Sequence, residues 1–157
     1  MRPVVTLLPC GQRLHLHHGP IDLIIGADGD RKLAFDAARA RFETVLDELV
    51  AELPALRGEM TAKTARPAGQ IARVMHDAVF PFSETSFVTR MAAVAGSVAQ
   101  SVLTAMTDAG ELPRAYVNNG GDIALHLENG HAYVMAMSDH SGAVLGKVSI
   151  SSDDSVR

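Results

Sequence analysis

The sequence predicts an α+β fold: antiparallel sheets packed with two long helices. Three observations carry this. Strand-like segments cluster at both ends of the chain and helical ones lie between them, in the order β-β-β-α-α-α-β-β-β-β. Apolar residues recur with a period near 3.6 from Leu33 to Leu53 and again from Val88 to Met106. The strand-like segments are separated by Gly, Pro and Asn turn signals rather than by helices, which favours antiparallel neighbours over βαβ units. At 157 residues the chain makes one domain, residues 1–157.

Three short segments open the chain: Val4–Leu8, Arg13–His17 and Ile21–Ile25. They end at Pro9-Cys10-Gly11, His18-Gly19-Pro20 and Gly26-Ala27-Asp28-Gly29, which reads as a small meander. Asp30 is placed as the N-cap of a long helix whose apolar stripe is Leu33, Ala34, Ala38, Phe42, Val45, Leu46, Leu49, Val50 and Leu53. Arg31, Arg39, Arg41, Glu43, Asp47 and Glu48 form its solvated face, and Pro54 ends it. Residues 57–69 are irregular. A short helix, Gln70 to Val79, stops at Pro81-Phe82-Ser83. Val88 to Ala109 reads as the second long helix, with Gly110 as its C′ residue. Arg114–Asn118, Ile123–Leu127, Ala132–Met137 and Ala143–Ile150 are strands, and Asn129-Gly130 has the chemistry of a two-residue hairpin turn. The end, Ser151 to Arg157, is either a polar tail or a loop in which a longer chain was cut.

Composition narrows the function classes. Hydrophobic residues make up 47 % and charged residues 20 %, a globular rather than a disordered balance. A net charge of −4 with no basic stripe argues against nucleic acid as a partner. No apolar run reaches the ~18 residues of a membrane span, so no membrane is expected. The Val4–Leu8 run before Cys10 is too short for a signal-peptide core and reads as a strand. One cysteine makes no internal disulfide, and the expected location is the cytoplasm.

Two clusters stand out chemically. The first is Asn118-Asn119-Gly120-Gly121-Asp122 between two strands. Successive glycines after asparagines permit positive φ and a concavity of backbone N–H groups that holds an anion or a polar ligand edge. The same five residues also suit a tight hairpin capped by Asp122, and both readings are open. The second is the small-residue stretch Met91 to Ala99, in which Ala95-Gly96 lets a neighbouring backbone or a flat ligand come close. Other candidates are weaker. His15 and His17 share a strand face while His18 points away, and two ligands do not make a metal site. His76-Asp77 is an acid/base pair only with a third group. Cys10 has a single nearby cation, Arg13, which argues against a low-pKa nucleophile. No Gly-x-Ser-x-Gly, Walker or Rossmann sequence is present.

Taken in order, the segment from Ala92 to Leu127 resembles the ApbE superfamily, the FAD:protein FMN transferases. The likeness lies in Ala95-Gly96 where the family has Lys-Gly, in Thr107-Asp108-Ala109-Gly110, and in Val117-Asn118-Asn119-Gly120-Gly121-Asp122-Ile123. Gly19-Pro20-Ile21, Met91 to Gly96 and Glu52-Leu53-Pro54-x-Leu56-Arg57 are similar to a smaller, uncharacterised ApbE-like branch. The departures are Ala95 at the lysine position, Gln100 at an acidic position, and no counterpart of the later Asp-Ala-x-x-Thr-type metal-binding segment.

The resemblance implies an ApbE-like fold whose C-terminal segment is missing or carried on a second polypeptide. It implies a small-molecule ligand, FAD or another nucleotide, in a pocket made by Asn118, Asn119, Gly120, Gly121, Asp122, Ala95 and Gly96. Any flavin transfer would use Mg2+. Three functions remain in view: a ligand-binding protein or transferase, a non-catalytic assembly protein that is a homo-oligomer, and the N-terminal fragment of a processed enzyme.

Overall fold

A computed structural model describes residues 2–154 of the chain. Among the described residues, seven strands and four α-helices make a layer of helices on one face of a five-stranded sheet, plus a two-stranded arm. The opening meander is β1 (Val4–Leu7), β2 (Arg13–His18) and β3 (Ile21–Ala27). Four helices follow: α1 (Arg31–Ala51), α2 (Leu53–Arg57), α3 (Gln70–Val79) and α4 (Val94–Ala109). The chain then returns through β4 (Arg114–Asn119) and β5 (Asp122–Leu127), and ends in β6 (Ala132–Ser138) and β7 (Val144–Ser151). The main sheet has the order β1-β2-β3-β4-β5 with every neighbour antiparallel, and β6 pairs only with β7. The α+β class and the two long helices are thus as the sequence indicates. No described helix is long and apolar enough to cross a membrane.

Alternation along the strands decides the core. Leu14, Leu16, Leu23, Ile25, Ala115 and Val117 face the helices and are almost fully buried. Against them α1 sets Ala34, Phe35, Ala38, Phe42, Val45 and Leu49, and α4 sets Val98, Ala99, Val102 and Met106. His18 is buried on the same face, edge-on to Phe42, while His15 and His17 lie on the other face. His15 Nε2 hydrogen-bonds Asp22 Oδ1 at 2.9 Å.

Several boundaries differ from the sequence reading. The α1 stripe is narrower than expected, with Leu33 and Val50 half exposed and Phe35 inside it. Asp30 makes no side-chain cap. Its Oδ2 instead accepts from the Glu111 N–H at 3.1 Å, pinning the start of α1 to the loop before β4. Arg41 is not solvated: it grips Glu48 with two nitrogens at 2.7 and 2.8 Å and Ser101 Oγ on α4 at 2.9 Å. Pro54 opens α2 rather than only closing α1, as its missing N–H permits in a first helical turn. The Glu52 carboxylate accepts from the Ala68 and Gly69 N–H groups and so caps α3 from a distance.

Residues 88–93 are not α-helical. The Val88 carbonyl accepts from the Met60 N–H at 2.8 Å, Thr89 bridges Glu59, and Arg90–Ala93 is a single 3-10 turn. Gly110 closes α4 in extended backbone, not at positive φ. Glycine is needed there because a Cβ would stand 2.7 Å from Asp30 Cβ. Asn129-Gly130 does not form a hairpin. Only Gly130 has positive φ, His131 N–H donates to the Glu128 carbonyl, and the turn carries the chain from one sheet to the other. At the end of the described chain Asp154 Oδ2 accepts from the Ser151 N–H and hydroxyl. The last three residues of the expected tail, 155–157, lie outside the described residues.

Candidate functional site

The cluster from Asn118 to Asp122 resolves into a tight hairpin. Asn119 pairs with Asp122 across β4 and β5, and Gly120 and Gly121 take φ of +62° and +112°. The Gly121 N–H donates to Asn118 Oδ1 at 2.9 Å, so that donor is used within the turn. Asp122 is exposed at the strand start. Turn chemistry accounts for Gly120 and Gly121, and it leaves one donor fewer for any ligand there.

Adjacent strand residues point to opposite faces, and this divides the expected pocket. Asn119 faces the helices. Its Nδ2 donates to the Ala95 carbonyl at 3.1 Å and ties the hairpin to the first turn of α4. Asn118 faces the other side of the sheet, beside Ile123, Leu125 and Tyr133. Gly96 opens into a different cleft of about 420 Å³, between α4, the free edge of β5 and the end of β7. A Cβ on Gly96 would meet nothing within 4 Å, so no backbone presses on it as the sequence suggested. Of the seven expected residues, only Ala95 and Asn119 share a cleft that is closed by other elements.

That cleft has a volume of about 380 Å³ and a mainly apolar wall. Pro20 and Ile21 at the β2–β3 turn form one side, and Leu46, Val50 and Leu53 of α1 and α2 form another. Met91, Val94 and Val98 complete it. Two groups are polar, the Asn119 amide and the Arg57 guanidinium at the mouth. Among the described residues Arg57 makes no ion pair. The sequence held a signal for this place. Leu46, Val50 and Leu53 widen the α1 stripe beyond what the sheet covers, and the surplus lines the cleft.

His76 and Asp77 do not form an acid/base pair. Asp77 is bound by Arg66 through two nitrogens. His76 Nδ1 accepts from Arg90 Nε and Nη2, both at 3.2 Å. Arg90, which drew no attention in the sequence, is 3 % exposed and has no carboxylate partner among the described residues. Its Nη1 and Nη2 donate to the Ala55 and Ala65 carbonyls at 2.8 and 2.6 Å. Burial first, then the Arg90 charge, push the His76 pKa below its ordinary value of 6.5. Among the described residues, no group of three or more His, Cys, Asp or Glu side chains is placed to hold a metal ion.

The family model that matches the chain is AbpE bacteria, over residues 5–157, and the chain belongs to that family. This corrects the resemblance to the ApbE flavin transferases and their smaller branch, because the matching family is not an ApbE family and gives no link to one. In the hairpin that carried the resemblance, Gly120-Gly121 is a pair that a two-residue turn with positive φ favours in any fold. A search of curated proteins found no match.

Proposed function

We propose that this member of the AbpE bacteria family binds a small organic molecule with a flat apolar body and an acidic end, in the cleft between α1, α4 and the β4–β5 hairpin. One observation carries the reading: an apolar cavity of about 380 Å³ whose only polar groups, Arg57 and Asn119, could fix the orientation of a ligand. Sites of this size and lining hold small molecules by apolar burial and take specificity from a few placed polar groups. The Asn119–Ala95 hydrogen bond holds one wall against the other. FAD belongs among the molecules to test, on the strength of a nucleotide's flat ring and acidic phosphates rather than of any flavin-transfer activity.

The probe is 1-anilinonaphthalene-8-sulfonate, titrated by fluorescence, with FAD as a second titrant followed by absorbance. Saturable binding of one probe per chain is expected. Ala95→Phe, which fills the cavity, should weaken it at least ~10-fold, and Arg57→Gln should weaken it by up to ~10-fold, the scale of one charge-assisted contact. Binding that is unsaturable, or indifferent to Ala95→Phe in a variant with a native circular dichroism spectrum, overturns the reading.

A second reading, a non-catalytic assembly protein, is favoured by the β6–β7 arm. The arm touches the main sheet through Tyr133 and the Ala132 carbonyl but leaves Val134, Val144 and Leu145 exposed at 64, 66 and 70 %. It requires a second copy of the chain to cover the arm. Sedimentation as a dimer that Leu145→Lys converts to monomer, together with no binding of either probe, would replace the first reading with this one.

A further inference from the structure

On the face of the main sheet turned away from the helices, the β1–β2 turn and the starts of β2, α1, β4 and β6 enclose a separate cleft of about 340 Å³. Three arginines from distant parts of the chain line it: Arg13, Arg31 and Arg114. The single carboxylate in its wall is Asp28. Arg114 is fully engaged. Its Nε and Nη2 lie 2.8 and 2.6 Å from Asp28 Oδ2, and its Nη1 donates to the Ala132 carbonyl at 2.9 Å. The Tyr133 ring sits 5.0 Å over that guanidinium and meets Tyr116 edge-on at 5.8 Å. Gly26 makes room for the floor, because a Cβ there would come within 2.6 Å of the Tyr116 ring.

Asp28 and Arg114 already form a complete structural pair, and Arg31 and Arg13 add charge that this pair does not need. Arg31 spends its Nε on the Ala27 carbonyl at 2.7 Å and stands 3.6 Å from Asp28 Oδ1 with one terminal nitrogen. Arg13 spends its Nε on Cys10 Sγ at 3.5 Å. The cleft thus gathers three guanidinium groups against one carboxylate, in a chain whose net charge is −4. Each arginine has a structural contact, Arg13 also to the Tyr116 side chain, but one carboxylate leaves the positive charge of the cleft in excess, which is the arrangement of an anion site. The planar guanidinium fork matches phosphoryl and carboxylate oxygens.

We propose that this cleft binds a small dianion, a phosphoryl compound or a dicarboxylate, gripped by Arg13 and Arg31 on a platform made by Arg114, Tyr116 and Tyr133. Cys10 at the rim gives the readout. It is the chain's one cysteine, it is exposed to the alkylating reagent, and, against the sequence expectation, the hydrogen bond from Arg13 draws its thiol below the ordinary value.

The test follows carbamidomethylation of Cys10 by iodoacetamide, read by intact mass. Pyrophosphate and succinate are titrated separately, with sodium chloride at matched ionic strength as the reference. One or both anions should slow alkylation at least ~5-fold in a saturable manner, a loss of reactivity that salt screening alone does not give. Protection by pyrophosphate alone assigns a phosphoryl ligand, and protection by succinate alone assigns a dicarboxylate. Arg31→Gln does not touch Cys10. It should abolish the protection, read as the ratio of the rates with and without anion in the same variant, whereas Arg31→Lys, which keeps the charge but not the fork, should retain part of it. Isothermal calorimetry with the same two anions provides a readout that does not involve the thiol. No saturable protection and no calorimetric binding by either anion, or full protection in Arg31→Gln, overturns the proposal.

Discussion

Arg90→Met is expected to destabilise the protein by about 2–4 kcal/mol, read as a lower urea midpoint at unchanged slope. Methionine fills most of the volume, so the loss is one of hydrogen bonding rather than packing. The substitution removes the common donor of the Ala55 carbonyl, the Ala65 carbonyl and His76 Nδ1. These acceptors lie on α2, on the loop before α3 and on α3 itself, so one guanidinium holds together the segment that joins the two long helices. The same contact makes a pH prediction. His76 must stay neutral to accept from a cation, and its folded-state pKa lies below 6.5. The unfolded chain therefore takes up the proton first. The stability this group contributes is complete above about pH 6.5 and declines as pH falls from there toward the lower folded-state value. In Arg90→Met the nearest repelling charge is gone while burial and the Arg66 charge still oppose protonation, so the loss of stability from neutral to mildly acidic pH should be shallower than in the wild type. A wild type whose stability is flat from pH 7.5 to pH 5.5 would contradict the neutral His76.

What the sequence made readable was the fold class, and the reasons are local. Leu14, Leu16 and His18 alternate with Arg13, His15 and His17 because one face of β2 is buried, and that period survives in the letters. The turns at Gly11, Gly19 and Gly29 show because positive φ selects glycine. What stayed hidden depends on partners far along the chain. Arg90 sits in a Met-Ala-Ala-Val context that reads as helix. Only the pairing of residues 59–60 with 88–89 holds the chain extended up to Thr89, so that Arg90–Ala93 forms a 3-10 turn with the guanidinium buried. Asn129-Gly130 has hairpin chemistry, but whether the flanking strands pair is decided by the arm's own register, β6 with β7. The residues expected to form one pocket were separated for a different reason. Asn118 and Asn119 are neighbours in sequence and therefore opposite in space on a strand, so treating them as one pocket set aside the same alternation that located the core. The arginine cleft was hidden more thoroughly, since its three cations lie at positions 13, 31 and 114 and only the sheet order brings them together.

Gly29→Ala should cost about 2–4 kcal/mol, well beyond the usual penalty for an alanine at positive φ. Gly29 has φ +88°, and a Cβ there would lie 2.3 Å from the Glu111 carbonyl oxygen and 2.7 Å from Pro113 Cδ. Relief by a backbone shift is blocked on both sides. The Asp30 N–H donates to that same Glu111 carbonyl at 3.1 Å, and Asp30 Oδ2 takes the Glu111 N–H at 3.1 Å, so the loop before β4 is clamped reciprocally to the start of α1. Gly120→Ala is the control. That residue has a similar positive φ, +62°, but a Cβ there meets nothing within 4 Å. It should cost only the left-handed backbone term, ~1–2 kcal/mol, and Gly120→Asn less still. The difference between the two alanine variants isolates the clash from the backbone term, since the sites share no neighbours and their effects should add. Equal losses at the two positions would mean that the Asp30–Glu111 clamp yields. The junction on which β3, α1 and β4 converge, and which sets Asp28 and Arg31 in the arginine cleft, would then be soft. A large excess at Gly29 would show that this junction is rigid, with the two cleft residues on either side of Gly29 fixed by backbone before any ligand arrives.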